Sequence, residues 1–332
     1  MTLVLREADV RAVLTMPDTM RVLDAAFRRQ AAGETRVQPR RRVVLPEGRG
    51  VLHVLSAYVP GTPGHPEANG PGLVGLKDYA AVAGKVRFIV QLFSAEDGAL
   101  LALIEADVLG QMRTGGASGV ATRYMARPDA RVVGMIGAGG QARTQALAMC
   151  EARSIERFLV YARTSEVVRA FCDDLEAETN VAFVPVAQPE DAVRDADIIV
   201  TATTAREPVV LGAWLHPGQH VNVMGSNWAN RREVDGEAVR RSAVVAVDLR
   251  EQAQMEAGDL LLAEQSGDFA WERAVELCEI IAGKTAGRPD AAAITLFKSL
   301  GIGLEDVAVA GWVYARARER GLGQEIDLVP DV

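Results

Sequence analysis

Residues 131–149 read RVVGMIGAGGQARTQALAM, and this stretch decides the fold. Residues 132–136 are a short apolar run of the kind that forms a buried parallel strand. Gly137, Gly139 and Ala142 follow at G-x-G-x-x-A spacing, and residues 144–151 continue at helical period. Strand, tight glycine turn and helix in that order is what a dinucleotide pyrophosphate requires. Gly137 permits the turn, Gly139 lets backbone N–H groups approach the phosphates, and Ala142 lets the helix pack close to the strand. Gly140 and Gln141 open a helix whose unsatisfied N–H groups and positive dipole end face the anion. A glycine triplet alone marks many ordinary turns. Here a second apolar strand at 157–161 follows after a helix of crossover length, which completes a βαβ unit.

Downstream the pattern repeats. Strands are expected at 181–186, 197–202, 220–224 and 244–248, with a helix at 165–178, a short one at 189–195 and acidic helical sequence at 250–283. Upstream, residues 5–33 carry helical periodicity and 35–45 are extended and basic. Strands are expected at 51–58, 73–79, 87–94 and 100–104, and small-residue-rich helical sequence at 106–126. The fold class is therefore α/β, with a Rossmann-type doubly wound domain at 127–296. A mixed α+β part at 1–126 precedes it, and residues 297–332 end in a final amphipathic helix.

At 332 residues the chain is long enough for two cores. A net charge of −8 with no basic stripe argues against nucleic acid as a partner. No window has the uncharged apolar length of a membrane span. The three cysteines, Cys150, Cys172 and Cys278, lack pairing or metal-like spacing, so a reducing cytoplasm is the expected setting and no metal is expected.

Ligands of such sheets gather at the carboxyl ends of strands. These ends hold Arg163 and Thr164, then Thr201, Ala202 and Thr203, then Met224, Ser226 and Asn227. An acidic residue at the second strand's tip would accept the ribose 2′-hydroxyl of NAD. The tip here reads Tyr161-Ala162-Arg163-Thr164, and an arginine with a hydroxyl suits a 2′-phosphate. NADP(H) is favoured and NAD(H) remains open; Arg163 as a solvated loop residue is the plain alternative. The acidic run around Glu251, Glu256 and Asp259 reads as a solvated face.

Five segments occur in order around the glycine loop: Gly75-Leu76-Lys77, Met112-Arg113-Thr114-Gly115-Gly116-Ala117-Ser118, Gly137 to Ala142, Gly225-Ser226-Asn227, and Lys298-Ser299-Leu300-Gly301 with Glu305-Asp306. With them, from about residue 9 to 317, the chain resembles the ornithine cyclodeaminase/mu-crystallin family, which also contains an archaeal alanine dehydrogenase and ketimine reductases. The resemblance implies that both chain ends build one substrate-binding and dimerising domain, with the Rossmann domain inserted between them. It also implies a homodimer.

The resemblance further implies that Arg113, with Arg41 as partner, clamps the carboxylate of an amino or imino acid. Arg40 and Arg42 flank Arg41, so a slip of one residue changes that assignment. Lys77, at the end of an apolar strand, becomes the active-site lysine; a desolvated lysine exchanges protons near neutral pH. Thr114, Lys298 and Gly301 are placed near the cofactor, Lys298 and Gly301 at its nicotinamide end.

Two positions depart from the cyclodeaminases. Asn227 stands where they carry an aspartate, and asparagine cannot take a proton at neutral pH. His53 stands where they carry a glutamate for the distal amine of ornithine; it is either an acid or base or a hydrogen-bonded strand residue. The expected function is NAD(P)H-dependent reduction of a small cyclic 2-imino acid to an L-amino acid. Ornithine cyclodeamination is the alternative, and a non-catalytic NADP(H) or small-ligand binding protein is the alternative from another class.

Overall fold

The computed structural model describes residues 1–328. The chain divides into two compact units, Met1–Arg113 with the chain from Gly301 onward, and Thr114–Leu300. In the first unit the order is β1 (Thr2–Leu5), α1 (Glu7–Val13), α2 (Met16–Ala31), β2 (Arg36–Val44), β3 (Gly50–Val59), β4 (Leu73–Val82), β5 (Lys85–Ser94), β6 (Leu100–Glu105) and the start of α3 (Asp107–Met125). The expected single helical region at 5–33 is broken at Leu14. There α1 ends in extended backbone, and Thr15 caps α2 by accepting from the Asp18 N–H, with Pro17 in the first turn.

The second unit continues with β7 (Val132–Ile136), α4 (Gly140–Ala152), β8 (Arg157–Tyr161), α5 (Ser165–Thr179), β9 (Ala182–Pro185), α6 (Pro189–Arg194) and β10 (Ile198–Thr201). It then runs through β11 (His220–Val223), α7 (Gly236–Arg241), β12 (Val244–Val247), α8 (Arg250–Glu256), α9 (Gly258–Gln265), β13 (Ala274–Glu276), α10 (Leu277–Ile281) and β14 (Thr295–Lys298). The chain closes in the first unit with α11 (Gly303–Glu319) and β15 (Gln324–Ile326).

The first unit's sheet has the order β15-β1-β6-β5-β4-β3-β2. Strands β3, β4 and β5 alternate, and their inward residues Leu55, Val90 and Leu92 are sealed by α11, which lies along β3 and β4. The opposite face stays open: Val43, Val74 and Ile89 are 60%, 43% and 43% exposed. In β2 the pairing to β3 slips between Gln38 and Arg41, so Pro39 and Arg40 together stand where one residue belongs. Pro39 has no N–H for a ladder bond, which suits a bulge.

The second unit's sheet is wholly parallel, in the order β13-β12-β14-β11-β10-β7-β8-β9. Strand order reverses beside β7, which is the switch point of a doubly wound sheet. The boundaries expected at 126/127 and 296/297 move to 113/114 and 300/301. The second half of α3 packs within the second unit, where Gln145 Nε2 donates to the Thr114 carbonyl and Thr122 meets the Met149 sulfur. β14 is an interior strand of the second sheet, so the chain cannot leave that unit before it. The last residues of the expected 297–332 segment, 329–332, lie outside the described residues. No helix of the described residues is long and apolar enough to cross a membrane.

Candidate functional site

In the first unit four elements deliver charge to one place. Register pairs Leu55 with Lys77 and His53 with Tyr79, so these four side chains share the face of the sheet that α11 covers. Lys77 is 1% exposed. The first turn of α11 carries Glu305 and Asp306, where the helix dipole favours carboxylates. Asp306 Oδ1 accepts from Lys77 Nζ at 2.8 Å and pairs with Arg113 Nε at 2.9 Å. Arg113 Nη1 donates to Glu305 Oε2 at 2.9 Å. Asp306 Oδ2 is buried without a hydrogen-bond partner among the described residues.

Arg40 completes the group. Its side chain is buried and donates to Tyr79 Oη at 2.7 Å and to the Gly301 carbonyl at 3.1 Å. Arg40, Lys77 and Arg113 thus stand with Glu305 and Asp306 in one cluster, all of them buried. Burial, with help from Arg113, brings the Lys77 ammonium down to a pKa of about 8, although Asp306 opposes the shift. Burial would also lower Arg113, but Asp306 and Glu305 hold it above the usual guanidinium value.

The expected pairing of Arg41 with Arg113 is corrected. Arg41 is exposed and Arg40 takes the inward position, because the bulge at Pro39 shifts the alternation by one residue. His53 is buried. Burial and the charges of Arg40, Arg42 and Lys77 push its pKa to about 3, and its ring stacks on Tyr79 at 4.3 Å and 7°. Gly301 belongs to the cation cluster: at φ +74° a Cβ there would overlap the Arg113 guanidinium. The sequence reading assigned no role to Arg40, Tyr79, Glu305 or Asp306. Arg40→Met is expected to raise KM for a carboxylate substrate about 10–100-fold. Arg41→Met leaves it within about twofold, and steady-state kinetics on the two variants check this.

In the second unit the glycine turn sits at the end of β7. Gly137 has φ +120°, and a Cβ on it would overlap the Ala202 carbonyl of the neighbouring strand end, so glycine is required. A cleft of about 280 Å³ opens there, lined among others by Gly137, Tyr161, Arg163, Ala202, Thr203 and Thr204. Gly139 caps α4 without a side-chain hydrogen bond, and the space its Cβ would occupy is open. Gly140 and Gln141 form the first turn behind it, and Ala142 is fully buried. A cleft at the switch point, an uncapped helix N-terminus and close backbone approach together fit a dinucleotide.

Of the other expected cofactor residues, Arg163, Ala202 and Thr203 line this cleft. Arg163 and Thr164 are exposed at the tip of β8. A second hollow of about 350 Å³ is bordered by Arg163, Ser165 and Arg169. Met224, Ser226 and Asn227 follow β11, while Thr114 is buried in α3. Two side chains are already committed to protein partners. The Thr201 hydroxyl is buried and donates to Glu233 Oε2 at 2.8 Å. Lys298 is fully buried, pairs with Asp259 Oδ2 at 2.9 Å and donates to the Ser226 carbonyl at 2.7 Å. Glu256 and Asp259 are likewise buried, not part of a solvated face.

The second unit is a Rossmann-type α/β domain and the first is a mixed sheet carrying a buried cluster of charged side chains. The chain belongs to the ornithine cyclodeaminase/mu-crystallin family, whose model matches residues 1–321. It is 39% identical over 240 residues to a Delta(1)-pyrroline-2-carboxylate reductase of Bacillus cereus, covering 72% of this chain and 74% of that one. The structure of Thermococcus litoralis Delta(1)-pyrroline-2-carboxylate reductase, in complex with NADH and L-proline, superposes with a TM-score of 0.91. It is 33% identical, and the match covers 98% of this chain and all of that one. An archaeal alanine dehydrogenase dimer with bound NAD matches with a TM-score of 0.90 at 29% identity over 99% of both chains.

Proposed function

We propose that the protein reduces a small cyclic 2-imino acid to the L-amino acid at the expense of NAD(P)H. The observation that carries this reading is the buried cluster of Arg40, Lys77 and Arg113 around Asp306 and Glu305. Guanidinium and ammonium groups converging in a buried place suit a substrate carboxylate. The unpaired Asp306 Oδ2 is a buried acceptor suited to the N–H of an amine or protonated imine. Reduced nicotinamide, when bound, supplies the hydride for the imine carbon. Arg113 and Arg40 hold the carboxylate, and Asp306 fixes the Lys77 ammonium. Lys77 Nζ gives its proton to the imine nitrogen in reduction and recovers it from the amine in the reverse direction. Kinship with the pyrroline-2-carboxylate reductases supports the same substrate class.

The electrostatics disfavour ornithine. A side-chain ammonium would enter beside Arg40, Arg42, Lys77 and a neutral His53, with both carboxylates already paired to Lys77 and Arg113. Cofactor oxidation with 1-pyrroline-2-carboxylate and 1-piperideine-2-carboxylate, run beside ornithine assayed for proline and ammonia, tests the reading. Turnover of the imines and silence with ornithine are expected. Ammonia from ornithine without turnover of the imines would replace the reading with cyclodeamination, and binding without any turnover would leave a binding protein.

The cofactor we favour is NADP(H). Arg163, Ser165 and Arg169 border the hollow beyond the β8 tip, and no acidic residue is among its described lining. This suits a 2′-phosphate. Arg163→Asp is expected to raise KM for NADPH about 10–100-fold. KM for NADH should stay within about threefold, and kinetics with both cofactors check this. The open face of the first unit's sheet, with Val43, Val74 and Ile89, is the proposed face of a homodimer. Light scattering is expected to return twice the chain mass for the wild type and the chain mass for Ile89→Lys.

A further inference from the structure

Beneath the dinucleotide cleft, three charged side chains that the reaction does not use are buried together in the second unit: Glu233, Asp259 and Lys298. Glu233 lies on no strand or helix of the sheet, yet its carboxylate reaches two neighbouring strand ends at once. Oε1 accepts from the Thr203 N–H at 2.8 Å and the Thr203 hydroxyl at 2.7 Å. Oε2 accepts from the Thr201 hydroxyl at 2.8 Å and the Gly225 N–H at 2.6 Å. Thr201 and Thr203 stand at the end of β10, while Gly225 lies just beyond β11. Asp259, in the first turn of α9, fixes Glu233 in turn by accepting from the backbone N–H groups of Glu233 at 2.6 Å and Val234 at 3.1 Å. Lys298, at the end of β14, joins Asp259 to the Ser226 carbonyl. The ends of three adjacent strands, β10, β11 and β14, are therefore tied through one buried network.

We propose that Glu233 is the positioning residue of the dinucleotide cleft: its carboxylate clamps the loops after β10 and β11 into the shape that receives the cofactor. This rests on the reading of the cleft as a nicotinamide dinucleotide site. The loop it clamps includes Ala202, Thr203 and Thr204, which line the cleft. The hydroxyls of Thr201 and Thr203 are spent on Glu233, so their contribution to the cofactor is indirect. The cofactor is met at this strand end by the backbone that the clamp sets in place. A single carboxyl group bonded to four donors ties these loops into one network. Lys298 offsets the second carboxylate that anchors it.

Three measurements test this. Without cofactor, the amides of Thr203 and Gly225 are expected to be protected from hydrogen exchange, although both lie in loops. Glu233→Gln is expected to raise the Kd of the preferred dinucleotide about tenfold or more and the cofactor KM with it, while KM for the imino acid stays unchanged. A purely structural role would lower the active fraction and kcat while leaving both KM values alone. Thr203→Val, which removes one hydroxyl donor and keeps the shape, is expected to raise the dinucleotide Kd about threefold in a fully folded protein. It supplies the readout if Glu233→Gln does not fold. Wild-type affinity in whichever of the two variants folds, or free exchange of the Thr203 and Gly225 amides, would overturn the proposal. Failure of the wild type to bind either NADH or NADPH would overturn the dinucleotide reading, and the proposal with it.

Discussion

Lys77→Met is expected to reduce kcat by about 10²–10⁴-fold while leaving dinucleotide binding unchanged. The ammonium is buried, anchored by Asp306 at 2.8 Å, and brought by burial and Arg113 to a pKa of about 8. It is thus charged at neutral pH and close to the point of losing its proton, which suits a group that must give and regain one. The sign follows directly. Reduction needs the protonated amine, so its rate is expected to fall as pH rises through about 8. Oxidation of the amino acid needs the neutral amine and should rise through the same pH. Methionine keeps much of the volume and removes the proton, so both limbs should vanish from the residual activity. Pre-steady-state rates over a pH series, in both directions, provide the check.

The second large effect is expected at Asp306. Its carboxylate serves Lys77 and Arg113 together in a fully buried position. Asp306→Ala removes the carboxylate shared by buried Lys77 and Arg113, and stability should fall by about 3–5 kcal/mol. The loss is read as a lower denaturant midpoint for the transition that reports on the first unit. Asp306→Asn keeps the shape and removes the charge. Because Asp306 is what raises Lys77 against the effect of burial, the break in the reduction profile should move to lower pH in this variant. A wild-type profile in Asp306→Asn would show that the ion pair does not set the lysine's proton affinity.

The glycine loop was legible because its signal is local: Gly137 and Gly139 sit where a turn and a close backbone approach need them, directly between a strand and a helix. Lys77 and Arg113 were legible through their flanking segments, and the structure brings both to one cluster. Arg40 was not. Three consecutive arginines hide which one faces inward, and the decision is made by a bulge that only pairing with β3 reveals. The buried strand β14 lies between β11 and β12, although it follows both in sequence. Four residues, Thr295 to Lys298, running towards a helix carry no periodicity that separates strand from helix. Glu233, Asp259 and Lys298 escaped for a related reason. Charged residues are ordinarily solvated, and their burial here depends largely on partners distant in sequence, such as Asp259 for Glu233 and for Lys298, which no local pattern records.

The most direct test of the central claim is to follow the hydride itself. The protein is incubated with 1-pyrroline-2-carboxylate and NADPH or NADH deuterated at C4 of the nicotinamide, and the proline formed is analysed by mass spectrometry and NMR. One deuterium at the α carbon of L-proline, matched to cofactor oxidised, is the expected result. Proline without label, or no proline from the imine while ornithine yields proline and ammonia, would contradict the account.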